Sequence, residues 1–341
     1  MRSELGEAPE IVRSLIEKQR GVIDSLAEAI ASRPVDMVLM AARGTSDHAA
    51  IYAQYIFGVY NKLPVALAAP SIQSLYGVAP RLRNALVIGV SQSGQSPDVV
   101  GVVEDARRQN ALTVAVTNDV RSPLSRAAEF HIDIRAGRER AVAATKTYVA
   151  ELTALAMLST ALQDDGVARG QLAEVPDAIA AALGLEGIVA AAAREQAGLQ
   201  RAVVLGRGFN YATALEWSLK LKEMSYVLAD AYSTADFEHG PIAMIDPGFV
   251  VHAIAADGPT LPEIEAVLGR LREAGARLVV ASNSVDALAF ADVPLRLPAA
   301  PEWLSPLSAI IPGQLFAYHL ALAKHLDTER PRHIRKVTMT R

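Results

Sequence analysis

The sequence predicts an α/β protein: parallel β-sheets covered on both faces by helices, three layers deep, built twice along one chain. Three observations carry this. Short apolar runs rich in β-branched residues alternate with longer stretches of helical spacing, which is the pattern of βαβ units. Their connecting turns are rich in glycine and serine. The pattern also recurs at a near-constant offset. Gly44 and Gly208 are 164 positions apart, while Val90 and Ala255, and Asn118 and Asn283, are 165 apart.

In order, residues 10–32 place Ile11, Leu15, Val22, Leu26 and Ile30 at helical spacing, and Pro34 stops that helix. VDMVLMAARGTS then reads as a strand ending in small polar residues, with a helix from Asp47 to Tyr60. ALVIGV (85–90) is a second strand and SQSGQS (91–96) its turn; Pro97 opens a helix through about Gln109. LTVAVTN (112–118) and FHIDI (130–134) are further strands. The second copy follows the same grammar: residues 202–223 echo 37–58, and FVVHAIAADGPT echoes ALVIGVSQSGQS. An alanine-rich helical connector occupies 166–195.

Composition excludes several classes. The chain has 341 residues, about two domains at roughly 150 residues each. It is 51% hydrophobic and 21% charged, too apolar for a disordered chain. The net charge of -4 offers no basic surplus for a nucleic-acid backbone. Without cysteine there are no disulfides, thiolate metal sites or thiol nucleophile. The polar, acidic N-terminus is not a secretory signal. Tyr148–Leu162, the best candidate for a membrane span, is short and interrupted by Glu151. The expectation is a cytoplasmic protein with no nucleic-acid or membrane partner, no metal and no cofactor.

The two copies differ where chemistry is expected. The first carries SQSGQS at its strand–helix turn, the second AADGPT. Ser91, Ser93 and Ser96 offer hydroxyls, Gly94 allows close backbone approach, and the following helix presents free N–H groups. An anion site is therefore expected in the first copy only; a serine-rich helix cap is the alternative. Thr45 and Ser46 end the first strand at the edge where ligands bind open parallel sheets, and a plain helix N-cap is again the alternative. Glu216, Lys220 and Glu223 share one face of an otherwise apolar helix. They are either a surface salt-bridge stripe or a desolvated acid–base group. His239 follows in a glycine–proline turn. Lys336 lies in a basic tail, and nothing in the residues alone promotes it.

Together ARGTS, SQSGQS, VAATKTY, ALEWSLKLKE, EHGP and RPRHIRK resemble the sugar isomerase (SIS) proteins. More narrowly, they resemble the isomerase half of glutamine–fructose-6-phosphate aminotransferase and SIS-type glucosamine-6-phosphate deaminases. The resemblance implies two tandem SIS domains with a flavodoxin-like fold: 1–34 an N-terminal helical segment, 35–165 the first domain, 166–195 the connector, 196–328 the second domain, and 329–341 a tail closing the active site. It implies that Thr45, Ser46, Ser91, Gln92, Ser93 and Ser96 hold a sugar phosphate, with Val142 and Ala144 contacting the sugar and Glu216 and Lys220 lining the site. Glu223 would move a proton between C1 and C2, His239 would open the ring in a neighbouring subunit's site, and Lys336 would form a Schiff base with the ketose. A homodimer with a shared active site follows. Ala144 stands where the family usually has serine, and the cysteine-dependent glutaminase half has no counterpart here.

The expected activity is conversion of glucosamine 6-phosphate to fructose 6-phosphate plus ammonia, or the ammonia-dependent reverse. The alternatives are a fructosamine-6-phosphate deglycase, another hexose-phosphate aldose–ketose isomerase, and a non-catalytic sugar-phosphate-binding regulator.

Overall fold

A computed structural model describes residues 1–336; residues 337–341, the end of the expected tail, lie outside the described part. The chain forms two compact units. The N-terminal unit comprises Glu10–Arg140, Lys146–Ala173 and the tail residues Arg335 and Lys336. The C-terminal unit comprises Met1–Pro9, Ala141–Thr145 and Glu174–Ile334.

The first helix, α1 (Arg2–Ala31), begins eight residues before the expected start and passes through Pro9. Leu5, Ala8, Val12, Leu15, Ile23, Leu26 and Ile30 are buried, so the apolar 3–4 spacing continues upstream of the proline. Of the expected face Leu15, Leu26 and Ile30 are buried and Ile11 is half-buried; Val22 is 43% exposed, and its neighbour Ile23 is buried instead.

In the N-terminal unit the order is β1 (Met37–Ala41), α2 (Thr45–Asn61), β2 (Val65–Leu67), α3 (Ser71–Ser74), β3 (Ala85–Val90), α4 (Pro97–Arg108), β4 (Leu112–Thr117), α5 (Pro123–Ala127), β5 (Phe130–Asp133), α6 (Lys146–Gln163) and α7 (Gly166–Ala173). The parallel sheet runs β2-β1-β3-β4-β5. Every residue of β3 and β4 is buried, as expected for central parallel strands covered on both faces. Sequence reading missed β2, an edge strand of three half-buried residues with too little apolar signal.

The C-terminal unit follows with α8 (Val175–Leu183), α9 (Glu186–Glu195), β6 (Arg201–Gly206), α10 (Tyr211–Ser225), β7 (Leu228–Ser233), α11 (Thr234–Glu238), β8 (Val250–Ala255), α12 (Leu261–Glu273), β9 (Arg277–Ser282), α13 (Val285–Leu288), β10 (Val293–Arg296) and α14 (Ser305–Ala323). Its sheet runs β10-β9-β8-β6-β7. Read from β7, this is the order of the first sheet, so the repeat seen in the residues is a repeat of topology. The backbone agrees: Gly44 and Gly208, each after the first strand of its copy, have the same φ of 57°. The expected connector is three helices, and α8 and α9 pack on α14 within this unit.

α14 corrects one expectation. Residues 303–323 carry no charged side chain, and the helical stretch Glu302–Ala323 is long and apolar enough to cross a membrane. It is a core helix, with 78% of its most apolar window buried.

Candidate active site

In each sheet the strand order reverses beside the first strand, between β1 and β3 and again between β6 and β8. The crevice outside the carboxyl ends of such a strand pair is where open α/β sheets bind ligands. In the N-terminal unit the chain leaving β1 carries Thr45 and Ser46, and the chain leaving β3 carries Ser91–Ser96. The structure thus brings these expected residues to one sheet edge.

Loop 91–96 is built rigidly. Gly94 has φ 60°, and a Cβ there would lie 2.2 Å from Ser122 Oγ and 3.0 Å from Thr117 Oγ1, so only glycine fits. Its N–H donates to Ser91 Oγ at 3.1 Å, while its carbonyl accepts the Leu124 N–H. Ser93 Oγ accepts the Gln95 N–H at 3.3 Å, and the Gln92 carbonyl accepts the Asn118 N–H at 3.1 Å. Ser96 is the N-cap residue of α4, but its side chain makes no capping bond. The Ser96 hydroxyl thus stands at a helix N-terminus without a capping bond, a place where anions are favoured.

After β1 the cap position falls on glycine. Gly44 is the N-cap of α2, and the buried Ser46 donates its hydroxyl to Glu151 Oε1 on α6 at 2.9 Å. Arg43, not singled out in the sequence, donates through Nε to buried Asp98 at 2.8 Å and ties the two loops together. The second copy repeats this device with Arg207 and Glu263 at 2.7 Å. Since that copy keeps only Thr260 of the hydroxyls in its turn, the pair is a structural part of the repeat. The Arg-Gly dipeptide at 43–44 and 207–208 was its signal.

At the corresponding edge of the C-terminal unit the chain supplies its own anion. Glu302 Oε1 accepts the Thr260 hydroxyl at 2.5 Å. A Cβ on Gly258 would lie 2.6 Å from Glu302 Oε2. Burial, opposed by the Thr260 hydroxyl and reinforced by Asp257, raises the Glu302 carboxyl above its ordinary value.

On α10, Glu216, Lys220 and Glu223 form a chain of charges rather than a surface stripe. The side chains of Glu216 and Lys220 are fully buried, and that of Glu223 is 22% exposed. Lys220 Nζ lies 3.2 Å from Glu216 Oε1 and 2.5 Å from Glu223 Oε2. Burial alone would favour neutral Lys220; the two carboxylates outweigh it, and the ammonium is held above the ordinary lysine range. His239 is exposed, in the turn after α11 and before Gly240 at φ 144°.

Val142 and Ala144 are half-buried in the stretch 141–145. Glu4 holds one end of it through the Ala141 N–H at 3.2 Å; Gln314 holds the other through the Thr145 carbonyl at 3.4 Å. Lys336, in the N-terminal unit, donates to Glu139 at 2.5 Å. Among the described residues no group of three or more His, Asp or Glu side chains is arranged to hold a metal ion.

Two sheets of this order, with a hydroxyl-lined loop at the switch point of the first, define a tandem α/β protein of doubly wound topology. The SIS domain matches residues 33–161 and 197–324, and the chain belongs to that family. It is 32% identical over 98% of its length to the glutamine–fructose-6-phosphate aminotransferase (isomerizing) of Thermococcus kodakarensis, and spans 57% of that protein. The C-terminal domain of glucosamine–fructose-6-phosphate aminotransferase from Francisella tularensis superposes with a TM-score of 0.88 at 27% identity, over 96% of this chain and 97% of that one. Glucosamine-6-phosphate deaminase from Thermotoga maritima has the same fold: TM-score 0.76 at 20% identity, covering 97% of this chain and 100% of that one.

Proposed function

We propose that this chain is an amino-sugar phosphate isomerase and deaminase converting glucosamine 6-phosphate and water to fructose 6-phosphate and ammonia. The observation that carries the reading is the Glu216–Lys220–Glu223 chain, buried at one end and partly open at Glu223. A carboxylate that is partly open at the end of a buried ion chain is placed to move a proton, a role that binding alone does not require. Family membership supports the substrate class.

The sugar phosphate is held by the hydroxyls and N–H groups of loop 91–96, with Thr45, Ser46 and Gln92. His239 opens the ring. Glu223 takes the C2 proton of the open-chain aldose and returns it at C1, which turns the 2-amine into a 2-imine; water then releases ammonia and leaves the ketose. Lys220 fixes the Glu223 carboxylate in one position through the transfer, and Glu216 balances its charge. Lys336 holds the ketose as an imine, and Val142 and Ala144 contact the sugar. The chain contains no cysteine, so none of its residues offers a thiol to release ammonia from glutamine.

We also propose a homodimer in which His239 serves the neighbouring subunit; its exposed position supports this. Glu223→Gln and His239→Ala, mixed after reversible dissociation, should regain activity up to about one site per dimer. A mixture that stays inactive contradicts the shared site. The substrate assignment is tested by ammonia release from a panel of amino-sugar phosphates. Glucosamine 6-phosphate should lead, and faster release from a fructosamine 6-phosphate would make the protein a deglycase.

A further inference from the structure

We infer that Glu139 is the positioning residue that seats Lys336 for imine formation. This rests on the proposed role of Lys336 and goes beyond it by naming what places that lysine. Glu139 lies between β5 and α6 with its side chain fully buried. Its Oε1 accepts the Thr147 N–H at 3.2 Å, and its Oε2 accepts the Thr147 hydroxyl at 2.8 Å and Lys336 Nζ at 2.5 Å. Thr147 is the second residue of α6, so the N–H belongs to a first helical turn that lacks intrahelical partners.

A buried carboxylate is costly unless paired. Here its partners include the Thr147 N–H and hydroxyl, both from a single residue of an 18-residue helix, and the Lys336 ammonium. The carboxylate is therefore a fixed point. Lys336 reaches it from 197 positions away, with a side chain 24% exposed. Glu139 thus decides where Nζ stands.

The chemistry needs that placement. Nζ must lose a proton, add to the ketose carbonyl carbon, and expel the oxygen as water. Net, ammonium plus ketone give a protonated imine plus water. The proton that Nζ loses is matched by the one that leaves with the carbinolamine hydroxyl, so the step consumes no outside acid or base. Neither Glu139 nor Thr147 stood out in the sequence, because the Glu139–Lys336 contact that gives them meaning crosses 197 positions.

The test is borohydride trapping of the full chain with fructose 6-phosphate, followed by intact mass and peptide mapping. Wild type should give an adduct at Lys336. Glu139→Gln keeps the shape but removes the charge; its trapping rate should fall about 10-fold or more, with half-saturation nearly unmoved. Glu139→Asp should recover part of the rate. Thr147→Val keeps both charges and the backbone N–H but removes the hydroxyl that anchors Oε2, and should slow trapping several-fold; it carries the test if Glu139→Gln does not fold. Trapping in a folded Glu139→Gln equal to wild type, or unchanged in Thr147→Val where Glu139→Gln does not fold, overturns the inference and leaves Lys336 in place. Absence of any Lys336 adduct in wild type overturns the role of Lys336, and the inference with it.

Discussion

Lys220 Nζ sits between two carboxylates of its own helix, 2.5 Å from Glu223 and 3.2 Å from Glu216, with no solvent exposure of its side chain. Removing one partner of a buried ion pair leaves an uncompensated charge. Lys220→Met should therefore destabilise the protein by about 3–5 kcal/mol in denaturant unfolding. The folded-state pKa of Lys220 is raised, so its contribution is complete at neutral pH and is lost only as pH rises beyond the ordinary lysine range. A variant as stable as wild type at pH 7 would show that the pair is not held in solution.

Anion binding should be confined to the first copy. Ser93→Ala should weaken sugar-phosphate binding by about 1 kcal/mol, roughly 5-fold, in calorimetric titration. Stoichiometry should be one phosphate per chain, because Glu302 already occupies the corresponding edge in the C-terminal unit. Two equivalent sites per chain would refute the asymmetry.

His252 is fully buried between Trp217 and Phe316, with ring centroids 5.0 and 4.7 Å away. Neither ring nitrogen has a hydrogen-bond partner among the described residues. Burial pushes its pKa down from 6.5 to about 3. Between those values the unfolded chain binds a proton that the native state does not, so stability falls as pH falls. The loss approaches about 1.4 kcal/mol per pH unit below pH 6. His252→Leu should flatten the acid limb of a stability–pH curve by about that slope. An unchanged limb would place His252 in a wetter setting.

Gly313 on α14 allows Trp217 on α10 to lie against the helix backbone; a Cβ at Gly313 would come within 2.6 Å of Trp217 Cδ2. Trp217 is fully buried and cannot swing away. Gly313→Ala should cost about 1–3 kcal/mol in thermal or denaturant unfolding. A stability within about 0.5 kcal/mol of wild type would show that α10 and α14 can move apart.

Much of this was legible in the residues. β3 and α4 appear where the run ALVIGV, the glycine turn and Pro97 place them, because local signals determine them. The repeat was readable because Gly44 and Gly208 meet the same backbone demand. Burial of Glu216 and Lys220 was an open question, since helical spacing assigns a face but not what covers it. The pairs Ser46–Glu151, Arg43–Asp98 and Glu139–Lys336 were not legible, because tertiary folding brings them together from 105, 55 and 197 positions apart.

The central claim is that Glu223 moves the proton that turns an aldose amine into a ketose imine. The most direct measurement compares kcat for ammonia and fructose 6-phosphate formation from glucosamine 6-phosphate in wild type and Glu223→Gln. Binding of a sugar-phosphate analogue is followed in both. The account predicts equimolar products from wild type, a fall in kcat of about 10²–10⁴-fold in the variant, and analogue binding within a few-fold. Turnover of the variant within a few-fold of wild type, or analogue binding by a wild type that turns over no amino-sugar phosphate, would contradict it.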